Sequence, residues 1–214
     1  PVRALMLDRK AAAEKTRSLA ASLGITIDPE RRVETLTVGE KQRVELLKAV
    51  RTDTKLLLLD EPTAVLGPQD IDAFLQLLRT LTRKGVAIVL VSHKLKEIAA
   101  VCSRALVLHK GRIVLEQEPT LGTLPALADA MVGGSGNGEK ALAPRVKRSG
   151  APTSDPRLAL ANVSGGGVEA ASLVVHKGEI LGIAGVEGNG QEALFRLVAG
   201  TEKKAAGTIS FDGK

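Results

Sequence analysis

Aromatic side chains are scarce in this sequence, which has three phenylalanines among 214 residues and no tryptophan or tyrosine. Single-stranded nucleic acid commonly binds by stacking its bases on such side chains, for about 1 to 3 kcal/mol per base. The net charge of +6 and the isoelectric point near 9.6 suit polyanions such as nucleic acid, acidic lipid headgroups and nucleotide phosphates. Because the stacking platforms are absent, nucleic acid is not expected as the main partner.

The sequence also lacks cysteine pairs and long apolar runs. Its one cysteine, Cys102, cannot form an internal disulfide, which suits a reducing compartment. No apolar run approaches the roughly 20 residues that span a bilayer, and no basic segment leads into an apolar stretch at the N-terminus. With 44% hydrophobic residues, enough for a packed core, the sequence predicts a soluble, cytoplasmic chain.

Two short apolar runs, at residues 56–59 and 86–91, are typical of central strands in a parallel sheet. The stretch between them begins a helix at Pro68 and carries apolar side chains at helical spacing. Strand, helix and strand at this spacing form a βαβ crossover. We therefore expect an α/β fold with a parallel sheet covered by helices, and a hairpin at the sheet edge near residues 109–112.

A change of composition divides the chain. Residues 133–157 hold five glycines, three prolines and five basic residues, which is the composition of a flexible tether. We therefore predict a first domain at residues 1–132, a basic linker at 133–157 and the beginning of a second α/β domain at 158–214.

The first candidate site residues open a helix. A glycine at position 39 lets the backbone turn into the helix, so that free N–H groups and the Thr37 hydroxyl face phosphate oxygens. The plainer interpretation is a capping box between Thr37 and Glu40, which fixes only the helix start. The candidate nucleotide-binding residues of this segment are Leu36, Thr37, Val38, Gly39, Glu40 and Gln42.

Two carboxylates follow the first buried strand. Asp60 is placed to hold Mg²⁺ through water, and Glu61 to orient an attacking water as a catalytic base. His93 follows the next strand, where it can contact Glu61 or a terminal phosphate, although a lone histidine is also compatible with a structural role. Glu61 and His93 are the candidate catalytic residues.

These motifs and their order resemble the signature, Walker B strand, catalytic glutamate and switch histidine of ABC-type ATPases. Val38, Gly39 and Glu40 are similar to the first signature of the tandem ATP-binding subunits of bacterial sugar and nucleoside importers. The resemblance implies a P-loop NTPase (ABC ATPase) fold, with two incomplete domains joined by a linker. One departure is Gly67, where most members carry aspartate.

The resemblance extends to a glycine-rich loop between the strand at 180–184 and the helix that follows. Gln191 stands where a P-loop has its phosphate-binding lysine, and Glu192 where it has a Mg²⁺-binding hydroxyl, so we expect a site that holds nucleotide but turns it over poorly. A plain strand-to-helix turn is the other interpretation. The candidate nucleotide-binding residues here are Gly185, Gly188, Asn189, Gly190, Gln191 and Glu192.

ABC-type ATPases bind each nucleotide between the P-loop of one domain and the signature of another. Applied here, the resemblance implies that the signature serves the loop at 185–192, whereas Asp60, Glu61 and His93 serve a second site. The chain alone would then complete neither site and show no appreciable ATP turnover.

The resemblance also implies cofactors, partners and a location. The cofactors are ATP and Mg²⁺. The partners are membrane permease subunits, a substrate-binding protein indirectly, and a second ATPase half or copy, at the inner, cytoplasmic face of the plasma membrane. Two alternatives stay open, a ribosome-associated tandem ABC ATPase acting in translation and a non-catalytic truncated product. Prolines and glycines in the linker oppose the long charged helix that the ribosomal class would need there.

Overall fold

The structure, a computed structural model, describes residues 8–50, 53–133, 155–186 and 188–214. Within these ranges the chain forms six α-helices, eight strands and a short 3₁₀ helix at Val33–Thr35. The helices are α1 Arg9–Ser22, α2 Val38–Ala49, α3 Pro68–Arg83, α4 Leu95–Val101, α5 Leu124–Met131 and α6 Gln191–Val198. The strands are β1 Leu56–Asp60, β2 Ala87–Val91, β3 Arg104–His109, β4 Arg112–Gln117, β5 Pro156–Gly165, β6 Val168–His176, β7 Ile180–Ala184 and β8 Ala206–Phe211.

Five strands form the main sheet, in the order β1-β2-β7-β3-β4. The first four are parallel, and β4 pairs with β3 in the antiparallel direction at the sheet edge. The predicted α/β class, the parallel core and the edge hairpin are therefore confirmed. Strands β2 and β7 are buried along their whole length, as expected of strands with neighbours on both sides and cover on both faces.

The position of β7 differs from the sequence-based expectation. The prediction assigned residues 158–214 to a domain separate from 1–132, but in the structure β7 lies between β2 and β3 and completes their sheet. An all-apolar strand buries both faces there, and the edges of its two neighbours become paired instead of open. Of the predicted linker, residues 134–154 lie outside the described ranges, and β5 already begins at Pro156.

A second sheet, of order β6-β5-β8, packs its apolar face against one side of the main sheet. Helices α3, α4 and α5 cover the other side with a second apolar cluster. Asp212, beyond β8, accepts hydrogen bonds from Arg157 at 2.6 Å and from Lys55, just before β1, at 2.7 Å. The Lys55–Asp212 pair connects the small sheet to the beginning of the main one, and the Arg157–Asp212 pair lies within the small sheet.

Helix α1 is the first element of the described residues. It begins at Arg9, where the Asp8 carboxylate accepts a hydrogen bond from the Ala11 N–H at 3.0 Å, and the chain leaves it through Gly24 in the left-handed region. In the described part of the chain, every helix is too short or too polar to cross a membrane.

Candidate functional site

The carboxyl ends of β1, β2 and β7 meet at one edge of the main sheet. Asp60 pairs in register with Val91, and Val91 with Ile183, so the loops that follow the three strands begin side by side. Loops at this edge of an open parallel sheet are the usual place for ligand-binding residues. The loops here carry the predicted Glu61, His93 and the glycine-rich segment.

Glu61 and His93 are in direct contact. One carboxylate oxygen of Glu61 accepts a hydrogen bond from the His93 backbone N–H at 2.9 Å and lies 2.8 Å from the imidazole Nδ1. The Glu61 N–H in turn donates to the Val91 carbonyl at 3.0 Å. The other Glu61 oxygen is buried without a partner among the described residues. Such an orphaned acceptor is what a water or a ligand proton would satisfy.

Asp60 lies beside two further carboxylates. Its pKa is raised, first by partial burial and then by the negative charges of Glu61 and Glu192. Glu192 is exposed in the first turn of α6 and pairs with Arg196 at 2.9 Å. A cation would relieve the repulsion at Asp60, and one carboxylate with water and phosphate oxygens is a donor set that Mg²⁺ accepts. The residues thus fit Mg²⁺ held mainly through water, since no protein cage of three acidic, His or Cys groups occurs in the described ranges.

The glycine-rich loop is closed by its own side chains. Gln191 is buried, and its amide donates to the Val186 carbonyl at 3.0 Å. A Cβ at position 185 would come within 2.0 Å of the same amide and 2.8 Å of the Leu108 carbonyl oxygen, and the close approach of that backbone requires glycine at 185. In the structure the Gln191 side chain therefore braces the loop from inside.

Hydrogen bonds of Asn189 join the glycine-rich loop to the β3–β4 hairpin. Its side-chain oxygen accepts from the Lys110 N–H at 3.0 Å, and its carbonyl accepts from the Gly111 N–H at 2.9 Å. Gly190 follows in the left-handed region, with φ of +98°, and is the N-cap of α6. Gly188 is open to its surroundings. Of this loop's predicted site residues, Asn189 and Gln191 have side chains bonded within the protein, and Glu192 points outward.

At the beginning of α2, Thr37 and Glu40 form the capping box that the sequence also indicated. The Glu40 N–H donates to the Thr37 hydroxyl at 3.2 Å, and the Thr37 N–H donates to Glu40 at 2.8 Å. The hydrogen bond from the Thr37 backbone, and after it the one from Arg31, lower the pKa of Glu40. The Thr37 hydroxyl thus accepts a hydrogen bond within the cap, and its own O–H is still able to donate to another group. Val38 is exposed and Leu36 is buried.

Gly39 is needed for a different reason from the one predicted. Its φ is not in the left-handed region, so the turn into the helix does not require glycine. A Cβ at this position would instead lie 2.5 Å from the Asp70 carboxyl carbon. Asp70 accepts from Arg43 at 2.9 Å, so Gly39 allows α3 to approach the first turns of α2. Gln42 lines a cavity of about 350 Å³ between these helices and the end of α1.

The spatial grouping of these motifs in this chain differs from the one that the resemblance implies. Asp60, Glu61 and His93 lie beside the loop at 185–192, because β7 enters the sheet next to β2. In the ranges that the structure covers, no hydrogen bond or ion pair joins residues 36–43 to this loop. Their partners are Arg31 and Asp70 instead.

Comparison with known proteins identifies the family. A family model described as ABC transporter matches residues 3–64. The chain is 40% identical over 206 residues to the glucose import ATP-binding protein TsgD13 of Haloferax volcanii, covering 94% of this chain and 36% of that protein. The chain belongs to the ABC-type ATPases. This ABC-type chain is also 34% identical to the nucleoside import ATP-binding protein NupA of Lactococcus lactis, over 97% of this chain and 41% of that protein.

The fold of the ABC-type chain is similar to a solved structure, MJ1267, an ATP-binding cassette of an ABC transporter. The TM-score is 0.53 at 21% identity, covering 61% of this chain and 52% of that one. The P-loop NTPase fold is thereby confirmed. The chain spans only about two fifths of the length of the two curated relatives.

Sequence reasoning missed a polar cluster behind the Glu61–His93 pair of this ABC-type chain. Thr63 and Glu97 are buried, and Lys94 lies partly buried beside them. The sequence contained one usable signal, because Thr63 and Lys94 lie within two residues of the predicted catalytic pair and Glu97 is one helical turn further on.

Proposed function

We propose that this chain is part of the ATP-binding subunit of an ABC importer for sugars or nucleosides, and that the whole subunit hydrolyses ATP to drive transport. The observation that carries the proposal is the contact between Glu61 and His93 at the sheet edge where the glycine-rich loop begins. A carboxylate fixed by a histidine, beside a strand–loop–helix unit, is an arrangement suited to orienting water toward a phosphoryl group.

Each residue at the edge has a proposed role. Mg²⁺, when bound with ATP, neutralises charge on the phosphate oxygens. Asp60 holds that ion through water, Glu61 accepts the proton of the attacking water, and His93 keeps the Glu61 carboxylate in place and contacts the terminal phosphate. The loop at 185–192 binds through backbone N–H groups. Because Gln191 braces this loop and Glu192 places a carboxylate beside it, the loop itself turns nucleotide over poorly, and Glu61 supports the turnover of the whole subunit at a P-loop elsewhere.

The partners follow from the same proposal. A second ATPase half or copy supplies the signature that this loop lacks, and the signature at residues 36–43 serves a loop elsewhere. When the two ATPase halves close on nucleotide, their movement is transmitted to membrane permease subunits at the cytoplasmic face of the membrane. A substrate-binding protein acts through these permease subunits. The names of the two import relatives support this function over the ribosome-associated alternative.

The proposal is tested by a substitution that is expected to increase the affinity of the chain for nucleotide. Gln191→Lys is expected to raise the affinity of the chain for Mg-ATP about 10- to 100-fold, because a charge-assisted contact to phosphate contributes about 1.5 to 3 kcal/mol. Titration with a fluorescent ATP analogue, with and without Mg²⁺, measures it. Gln76→Lys adds the same charge on an exposed part of α3 and is the control.

Equal affinities for wild type, Gln191→Lys and Gln76→Lys would show that the loop is only a structural turn. Within the full-length subunit, Glu61→Gln is expected to abolish turnover and leave binding nearly unchanged. Permease genes in the flanking DNA would support transport, and their absence would favour the truncated-product alternative.

A further inference from the structure

We propose that Thr63, Lys94 and Glu97 are positioning residues that hold the Glu61 carboxylate against His93. This inference rests on the proposed function for its catalytic consequence, but its structural part stands on contacts alone. The three side chains touch neither the glycine-rich loop nor the open sheet edge in the described contacts. They join the loop that carries Glu61 to the loop that carries His93.

The contacts form a closed set. The Thr63 hydroxyl donates to a carboxylate oxygen of Glu97 at 2.5 Å. The Lys94 ammonium donates to the Thr63 carbonyl at 2.9 Å and lies 3.5 Å from the other Glu97 oxygen. Because Lys94 follows His93 directly and Thr63 lies two residues after Glu61, the contacts of Thr63 with Glu97 and Lys94 fix one loop relative to the other.

Burial makes this set rigid. Thr63 is fully buried and Glu97 is 7% exposed, so the Glu97 carboxylate depends on Thr63 and Lys94 to replace its lost hydration. Removing Lys94 leaves the buried Glu97 charge without its counter-ion, and removing the Thr63 hydroxyl leaves one Glu97 oxygen without its hydrogen bond, so either change weakens the connection between the two loops. The Glu61–His93 contact above it is 33% and 59% exposed and has no such constraint of its own.

The backbone of Glu61 is in a strained conformation, which the network helps to maintain. Its φ is +42°, in the left-handed region that a glutamate rarely occupies. A strained residue of this kind persists only where its surroundings fix it on both sides. Val91 fixes the N–H of Glu61, and the Thr63 contacts fix the chain after it.

The histidine signals in NMR spectra provide a direct readout. The chain has three histidines, so the ring signal of His93 can be assigned with His93→Gln and followed beside those of His109 and His176. Thr63→Val removes the hydroxyl and keeps the shape. We expect it to move the His93 signal most of the way to its position in Glu61→Gln, while the other two signals stay in place. Thr63→Ser, which keeps the hydroxyl, is expected to retain the wild-type position.

If the His93 signal of folded Thr63→Val keeps its wild-type position, the proposed positioning role of the network is contradicted. If that variant does not fold, Glu97→Gln tests the same point, since it keeps an acceptor for Thr63 but loses the charge that pairs with Lys94. Its His93 signal is expected to move as well, and a wild-type position would be contrary evidence.

The catalytic consequence is measured separately, in the ATP-hydrolysing full-length subunit. Thr63→Val is expected to lower kcat about tenfold with KM nearly unchanged, and Thr63→Ser to restore it. A moved His93 signal with unchanged kcat would contradict the positioning role. Absence of any ATPase activity in the wild-type subunit would refute the proposed function, and the NMR result would still decide whether the network holds the pair.

Discussion

At the residue scale, the candidate site combines a hydrogen-bonded pair with a carboxylate that lies beside like charges. Glu61 is bonded to His93. Asp60, next to it, faces the negative charges of Glu61 and Glu192 and is partly buried, and its pKa is raised. A carboxylate in this position opposes binding of phosphate unless a cation comes with it. The local charge thus favours a nucleotide complexed with Mg²⁺ over a free one.

The raised pKa of Asp60 makes stability depend on pH. Since the fold favours its protonated form, the stabilisation from this group is present below the ordinary carboxyl pKa and is lost as pH rises through the raised value. Asp60→Asn is therefore expected to raise the Tm by about 1 to 2 °C more at pH 7 than at pH 4, a small effect because solvent screens the repulsion. Thermal unfolding in EDTA measures it.

Asp72→Asn, which neutralises an exposed carboxylate on α3, is the control for this measurement. The same change in Tm at both pH values for Asp60→Asn would contradict the charge repulsion at the sheet edge.

At the element scale, β7 determines which residues become neighbours. It is buried between β2 and β3, and its Gly182 faces α4. A Cβ on Gly182 would lie 2.8 Å from Ile98 and 3.0 Å from the sulfur of Cys102. Burial raises the pKa of that thiol far above its ordinary value, which marks Cys102 as a packing residue. A side chain at position 182 is therefore incompatible with the contact between β7 and α4.

Gly182→Leu is expected to destabilise the fold by about 1 to 3 kcal/mol, because it overpacks a site that has no room even for a Cβ. Urea unfolding followed by circular dichroism measures the change. Gly122→Leu, at an exposed turn, introduces the same side chain with open space around it. Equal stabilities of the two variants would mean that β7 does not occupy the centre of the sheet.

At the scale of the whole molecule, two distant segments build one core. Residues 53–133 supply four strands of the main sheet, and residues 155–214 supply the central strand and the whole small sheet. Asp212 pairs with Lys55 across the two segments and with Arg157 within its own segment, and these contacts lower its pKa, first through Lys55 and then through Arg157. Neither segment buries its apolar strands without the other, so we expect one cooperative unit.

Two tryptophan reporters test this cooperativity, since the natural sequence has none. Phe74→Trp places one in α3 and Phe195→Trp places one in α6, on opposite sides of the main sheet. In each variant, the urea midpoint from tryptophan fluorescence is expected to agree with the midpoint from circular dichroism within about 0.2 M, as for a two-state domain. Separate midpoints in either variant would show that the two segments unfold independently.

Much of the local structure was predictable from the sequence. The capping box at Thr37 and Glu40, the buried strand ending in Asp60 and the edge hairpin each depend on residues close together in the chain. The contact of His93 with Glu61 was also foreseeable, because neighbouring parallel strands place their following loops together. The reason that position 39 requires glycine was not foreseeable, because it depends on Asp70, 31 positions later in the sequence.

The sequence by itself determined the family, the fold class and the residues that form the sheet-edge motifs, because these depend on local propensity, apolar periodicity and short spacings. Only the tertiary structure decided that β7 completes the sheet of the preceding segment, and hence that Asp60 and Glu192 are neighbours. It also revealed that Gln191 fills its own loop and that Thr63, Lys94 and Glu97 form a buried set. Pairing between distant strands is chosen by which edges and faces remain to be buried, and burial is a property of the assembled molecule.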